Sequence, residues 1–469
     1  MSRVGIGVTM ERTHRVEVTQ PRATLVRQLG LLDSTALVIG VIIGSGIFLV
    51  PGSVAGQIQS LAGVIAVWVT GGILSIFGGL ALAELGSTFP TAGGLYVYIE
   101  HAYGRFAGFI YGWMGLCIIN TGSVATMAVG VGSYIAPIAH FSVTQQKLFQ
   151  VGVIAFFTLI NCLGVTLGKW VQNALSFTKL AGLFLMILFL WEHGSRTRLT
   201  SNFWPASWHL DFAPFGIALI GVLWAYDGWH VISFAAGEVK KPTRNIPASL
   251  ILGTLSCVVI YTLANISYYS VLDPPLIKAS DRVAAIAVFS ALGGKAATLL
   301  TFFIALSILG AINGSTFSTP RATLAMAADG LFFRSFARVN SKYHTPVIAL
   351  VAHGIWGAAL TLMGTFQELF TAVIFTAWIF YGLSVLGVIV LRHKYPDLKR
   401  PYSCPFYPIP PLLFVLATLW IVLNTIVADF KHAITGLALM SLGVPLYFLF
   451  RAVNRKSGVA PEKKNEGID

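Results

Sequence analysis

The first chemistry legible in the chain lies at Gly44, Ser45 and Gly46, in the middle of the apolar stretch VIGVIIGSGIFLVPGSVAG, residues 38–56. Glycine and serine are poor helix formers compared with alanine or leucine, and here they fall where a membrane-crossing helix should be most regular. If the helix stops near Ile43 and restarts near Ile47, the restarting half presents free N–H groups and a positive dipole end, which suit a carboxylate. The ending half presents the carbonyls of Val41, Ile42 and Ile43, which suit an ammonium group. One break can therefore hold a zwitterionic α-amino acid by main chain alone. The same glycines also fit close packing between helices.

A second interruption, Asp227–Gly228, sits at the centre of IGVLWAYDGWHVISFAAGEV, with His230 three residues past the aspartate. Asp227 is suited to three roles: an N-cap for a restarting half-helix, one half of an internal pair with Lys179, or direct recognition of substrate. Lys179, in NALSFTKLAGLFLMILF, lies ten residues beyond Lys169, about 15 Å along a helix and hence at midplane depth. A charge there costs about 2.5–3.5 kcal/mol, so the lysine needs a partner or loses its proton. Asn313 and Ser315 either face a cavity or bond to neighbouring helices. Glu84, Glu238, Arg321 and Asp329 fall near helix ends, as ion pairs that lock a gate or as solvated groups. His353 reads as an ordinary interior residue.

Composition dictates the elements that carry these residues. Charged residues are 10% of the 469 and hydrophobic ones 56%, against about a quarter charged in soluble chains. Lipid is the implied solvent. The net charge of +13 is spread over short segments between apolar runs, which argues for orientation in a membrane and against nucleic-acid binding. The N-terminal thirty residues read as a retained cytoplasmic tail rather than a signal peptide. The four cysteines, Cys117, Cys162, Cys257 and Cys404, have neither metal-ligand spacing nor a disulfide pattern, and no metal or cofactor is expected.

Apolar windows of the roughly 20 residues needed to cross a bilayer occur near 32–56, 61–85, 105–136, 147–167, 170–192, 213–237, 247–271, 295–320, 346–363, 367–391, 410–428 and 433–450. The expected fold is therefore all-α and polytopic, with about twelve spans and both termini on one side. Placing the termini inside puts 23 lysines and arginines in cytoplasmic segments and 7 outside, with Lys179 within a span; this bias orients the protein. The two breaks are five spans apart. A five-helix repeat re-enters the membrane inverted, and paired broken helices in such repeats build a site at the midplane.

With these elements in place, the sequence resembles the amino acid–polyamine–organocation superfamily and, within it, the L-type amino acid transporter family. IGVIIGSGIF is similar to the family's first-helix signature, and ELGSTFPTAGGLYVYIEHAYG to its second-to-third helix connection. LWAYDGWHVISFAAGEVKKPTRNIPAS is similar to its sixth helix and following loop, and AINGSTFSTPRATLAMAADG to the end of its eighth. The resemblance implies a LeuT-type 5+5 inverted repeat. Its parts are a tail at 1–30, a ten-helix core at 31–392, two further helices at 393–452 and a tail at 453–469.

It also implies that the substrate carboxylate meets Ser45, Gly46 and Ile47. The amino group would lie near Ile42, Trp224 and Asp227, with Trp224 as a gate. A lysine at the position of Lys179 ties the fifth helix to the unwound first helix, where sodium-driven relatives hold sodium, so sodium coupling is not expected. Eukaryotic relatives join a glycoprotein heavy chain through a cysteine in the loop near 137–147. That loop has none here, so a bacterial-type member without a disulfide-linked heavy chain is expected.

The function implied is exchange of neutral, and in addition cationic, L-amino acids across the cell membrane. Proton-coupled uptake is the alternative within transport. A membrane enzyme would need more convergent acid, base or nucleophile groups than Asp227, His230 and Lys179 supply. A channel would need a filter-like stretch, and none is evident.

Overall fold

The computed structural model describes residues 25–204, 211–280, 282–364, 366–428 and 430–456. Most of both basic tails therefore lies outside the described residues. Helices, turns and loops make up nearly all of the rest. Leu31–Ile42 (α1) and Gly46–Gln57 (α2) form one span bent by 44° at the first break. There follow Leu61–Thr88 (α3), Arg105–Ala139 (α4), Val143–Cys162 (α5), Val165–Glu192 (α6) and Phe212–Ala225 (α7). The later long helices are Pro242–Val271 (α8), Gly294–Ser318 (α9), Val347–Met363 (α10), Phe366–Lys394 (α11), Ile409–Ala428 (α12) and Phe430–Lys456 (α13), and shorter helices, among them Leu95–Tyr103, Val283–Leu292 and Pro320–Ala328, lie between the long ones.

Every apolar window holds a helix, but not every helix has full crossing length. Among the described residues nine helices are long and apolar enough to span a membrane, or ten when α1 and α2 count as one. The exceptions among the twelve windows are α7, which stops after 14 residues at the second break, and α10, with 17. The protein is a multi-pass membrane protein. Local chemistry explains several helix starts: Ser60 accepts from Gly63 N at 3.0 Å, Asp211 accepts from Ala213 N at 3.1 Å, and Pro242 opens α8.

Packing places α1 at the centre, against α6, α8 and α9, while α2 lies along α7. The helix α4 runs through a π-helical turn, Gly115–Ile119, just before Asn120, a distortion frequent at functional sites. Past the second break the chain restarts as a 3₁₀ helix, Val231–Glu238, with His230 and not Asp227 in the N-cap position. The capping role considered for Asp227 is thus not the one it fills. Ahead of α1, Leu29 pairs with Val239 as an isolated parallel bridge.

Candidate functional site

The two breaks touch each other. Gly228 has φ +107°, a conformation that favours glycine, and a Cβ there would stand 2.6 Å from Val41 Cγ1 and 3.1 Å from Ile42 N. A Cβ on Gly46 would stand 2.7 Å from both Cα and Cβ of Ala225. Small residues therefore do both jobs considered for them: they interrupt the helices and let the interruptions meet.

Between the breaks lies a cavity of about 90 Å³, several times the roughly 10–15 Å³ that one water requires. Val41, Ile42, Gly44, Ser45 and Gly46 line it from the first break, and Trp224, Ala225, Asp227, Gly228 and His230 from the second. Asn120, Ser123 and Thr126 of α4 contribute polar edges, as do Ser315 and Thr319 beyond and Tyr381 of α11. Of the expected substrate-contacting residues, Ile42, Ser45, Gly46, Trp224 and Asp227 line this cavity, whereas Ile43 and Ile47 do not. Gly46 and Ile47 are the first two residues of α2, whose N–H groups have no carbonyl one turn back to receive them.

The carbonyl side of the first break differs from expectation. A carbonyl oxygen has two lone pairs. Ile43 O already accepts from Lys179 Nζ at 2.6 Å and Ser307 Oγ at 3.1 Å, and Ile42 O from Tyr261 Oη at 2.9 Å and Gly44 N at 2.8 Å. Neither is left for a substrate ammonium. Of the three carbonyls expected to serve, only that of Val41 remains a candidate.

Lys179 is 1% exposed and donates to Gly40 O at 2.7 Å, Ile43 O at 2.6 Å and Ser307 O at 2.7 Å. Its three donors are fully used, and they join α6 to the end of α1 and to α9. An internal pair with Asp227 is therefore not formed; Asp227 Oδ1 instead accepts from Tyr381 Oη at 3.0 Å. Asn313 turns away from the cavity, accepting from Asn161 Nδ2 at 3.0 Å and donating to Gln172 Oε1 at 2.8 Å. Ser315, two residues on, does line the cavity.

Sequence reasoning missed Tyr261, whose hydroxyl lies 2.9 Å from Ile42 O and 3.1 Å from Ala225 O, the ends of both interrupted helices. A tyrosine in the middle of the apolar window 247–271, whose hydroxyl must find a polar partner there, is the available signal. The acidic residues near helix ends do form pairs. Arg321 meets Glu238 at 2.6 and 3.1 Å with both side chains 0–1% exposed, and Arg392 meets Glu84 at 2.9 and 2.6 Å. Asp329 accepts from Tyr96, and His353 Nε2 lies 2.8 Å from Thr323 Oγ1.

Two interrupted helices meeting at a cavity inside a multi-pass bundle define the architecture of a membrane carrier, and the family is shown by comparison with known proteins. The amino acid permease family profile matches residues 29–446. The b(0,+)-type amino acid transporter 1 of Mus musculus is 30% identical over 448 residues, covering 93% of this chain and 90% of that protein. The serine/threonine exchanger SteT of Bacillus subtilis is 30% identical over 431 residues, covering 90% and 97%. The cystine/glutamate transporter of Homo sapiens is 28% identical over 448 residues, covering 93% and 88%. The chain belongs to the amino acid permease family of the amino acid–polyamine–organocation superfamily: it is an amino acid transporter and not an enzyme.

Proposed function

We propose that this transporter is a sodium-independent exchanger of L-amino acids, neutral ones first and cationic ones in addition. It would reside in the cell membrane with both termini cytoplasmic and without a disulfide-linked heavy chain. The single observation that carries the proposal is the mutual contact of the two breaks around the cavity, Gly46 on Ala225 and Gly228 on Val41. The substrate carboxylate lies at the amides of Ser45 and Gly46, the two of the three expected residues that line the cavity, and the ammonium faces the Val41 carbonyl and Asp227. Trp224 closes over the substrate. Residues 31–392 form the LeuT-type inverted-repeat core, and the two helices of 393–452 complete twelve spans.

Exchange is favoured over uniport by kinship with a protein named as a serine/threonine exchanger. Lys179, with all three donors on carbonyls around the first break, supplies the cationic tie that sodium would otherwise supply. Counterflow in proteoliposomes tests the reading. Uptake of labelled amino acid should require an amino acid inside and no sodium. Uptake into empty vesicles driven by an inward proton gradient would instead establish proton-coupled uptake.

A further inference from the structure

Asp227 is the only carboxylate among the described residues lining the cavity, and no lysine or arginine lines it. Its side chain is 27% exposed. His230, on the same break, is 7% exposed and lines the same cavity. Its Nδ1 makes no hydrogen bond and stands 3.8 Å from Asp227 Oδ1, the oxygen that Tyr381 also reaches.

The other groups around the imidazole are accounted for. On its own segment Trp229 and Phe234 present apolar rings, with centroids 5.4 and 5.7 Å away. From α11 the Tyr381 ring lies at 4.5 Å, and its hydroxyl is committed to Asp227. From α4 the Tyr111 ring packs on Phe380, the neighbour of Tyr381, with centroids 5.3 Å apart, and from beyond α9 Thr319 reaches the cavity with its hydroxyl bonded to Ser315 O. Lys179 is held on carbonyls behind the first break, and Arg321 is paired with Glu238.

An ionised Asp227 therefore leaves the lining with one uncompensated negative charge, costly in a low-dielectric site. A zwitterion does not change that sum; a substrate with a cationic side chain does, and so does a proton. Two positive charges cannot both be matched by one carboxylate.

We infer that Asp227 and His230 form a proton site that competes with the side-chain cation of the substrate, so that the pair decides whether the cavity takes a neutral or a cationic amino acid. The inference rests on the main-chain amino acid site proposed above. Because carboxylate and imidazole stand beside one another, the proton belongs to the pair. By linkage the proton and the cationic side chain weaken each other's binding equally. Exchange of a neutral for a cationic amino acid then carries a proton with the neutral one and moves no net charge.

The test is binding of alanine and arginine to the purified full-length protein between pH 5 and 8. Arginine affinity relative to alanine should fall as pH falls, by up to about tenfold per unit below the pair's midpoint. Asp227→Asn should remove the pH dependence of the arginine-to-alanine ratio and weaken arginine more than alanine, whose ammonium also faces this residue. His230→Asn and His230→Gln should move the midpoint of the arginine-to-alanine ratio. A ratio in the wild type that does not change with pH overturns the inference, and needs no variant. An unmoved midpoint in both His230 variants overturns the imidazole's part. If the wild type binds neither amino acid at any pH, the main-chain site itself fails, and this inference with it.

Discussion

Gly46 lies against the main chain of Ala225 so closely that an added Cβ would stand 2.7 Å from the Ala225 Cα. The two interrupted helices therefore meet through a glycine, and any side chain at position 46 acts on that packing before it reaches a substrate. Gly46→Val should abolish transport and also lower the melting temperature of the purified protein, since overpacking costs about 1–3 kcal/mol. Gly44 lines the same cavity, yet a Cβ there meets nothing closer than Ala311 Cβ at 3.7 Å. Gly44→Ala should leave melting unchanged and alter substrate affinity alone. Wild-type affinity in a stable Gly44→Ala protein would count against a substrate at this break.

Lys179→Ala removes one donor from each of three carbonyls, Gly40, Ile43 and Ser307. Each buried group left unsatisfied costs about 1–3 kcal/mol, and Ser307 Oγ still covers Ile43 in part. The end of α1 should loosen from α6 and α9, so exchange per transporter at the surface should fall more than surface abundance does. Exchange kinetics equal to wild type would show the lysine to be passive.

Sodium should be dispensable. The carbonyls that a cation would need at this point already accept a lysine ammonium at 2.6–2.7 Å. Replacing sodium by choline on both sides of proteoliposomes should leave the exchange rate within error. A steep sodium dependence would contradict the role given to Lys179.

The breaks and the lysine were legible because each violates a local rule: weak helix formers at Gly44–Gly46 and Asp227–Gly228, and a cation at midplane depth. The same stretches did not disclose partners. Nothing local says that Ile43 O is taken by a lysine 136 residues away or that Tyr261 reaches both helix ends. Asn313 shows the limit most plainly. A helix that is apolar nearly all round carries little information about which face meets a cavity, and its polar group went instead to Asn161 and Gln172. Helix ends were readable to a few residues, whereas the 3₁₀ restart at Val231 was not, since it follows from how Gly228 is pressed against α1.

The pair of Arg321 and Glu238 gives the last prediction. Both side chains are buried, 1% and 0% exposed, and the Glu238 carbonyl also accepts from Gln28 N at 2.8 Å and Leu29 N at 2.9 Å. One residue thus ties the segment ahead of α1 to the short helix Pro320–Ala328 that follows α9, at the end of the bundle proposed above to face the cytoplasm. Removing one member leaves the other charge buried without its counterpart, which costs about 3–5 kcal/mol, whereas removing both is far cheaper. Arg321→Met should therefore lower the melting temperature in detergent strongly, and Glu238→Gln should do so too. The double variant Arg321→Met/Glu238→Gln should recover much of the loss, while thiol labelling of a Gln28→Cys substitution made in each background should become faster in all three than in the otherwise wild-type Gln28→Cys protein. Additive losses in the double variant would show that the two side chains do not act as a pair, and unchanged labelling would show that the pair does not hold the segment ahead of α1.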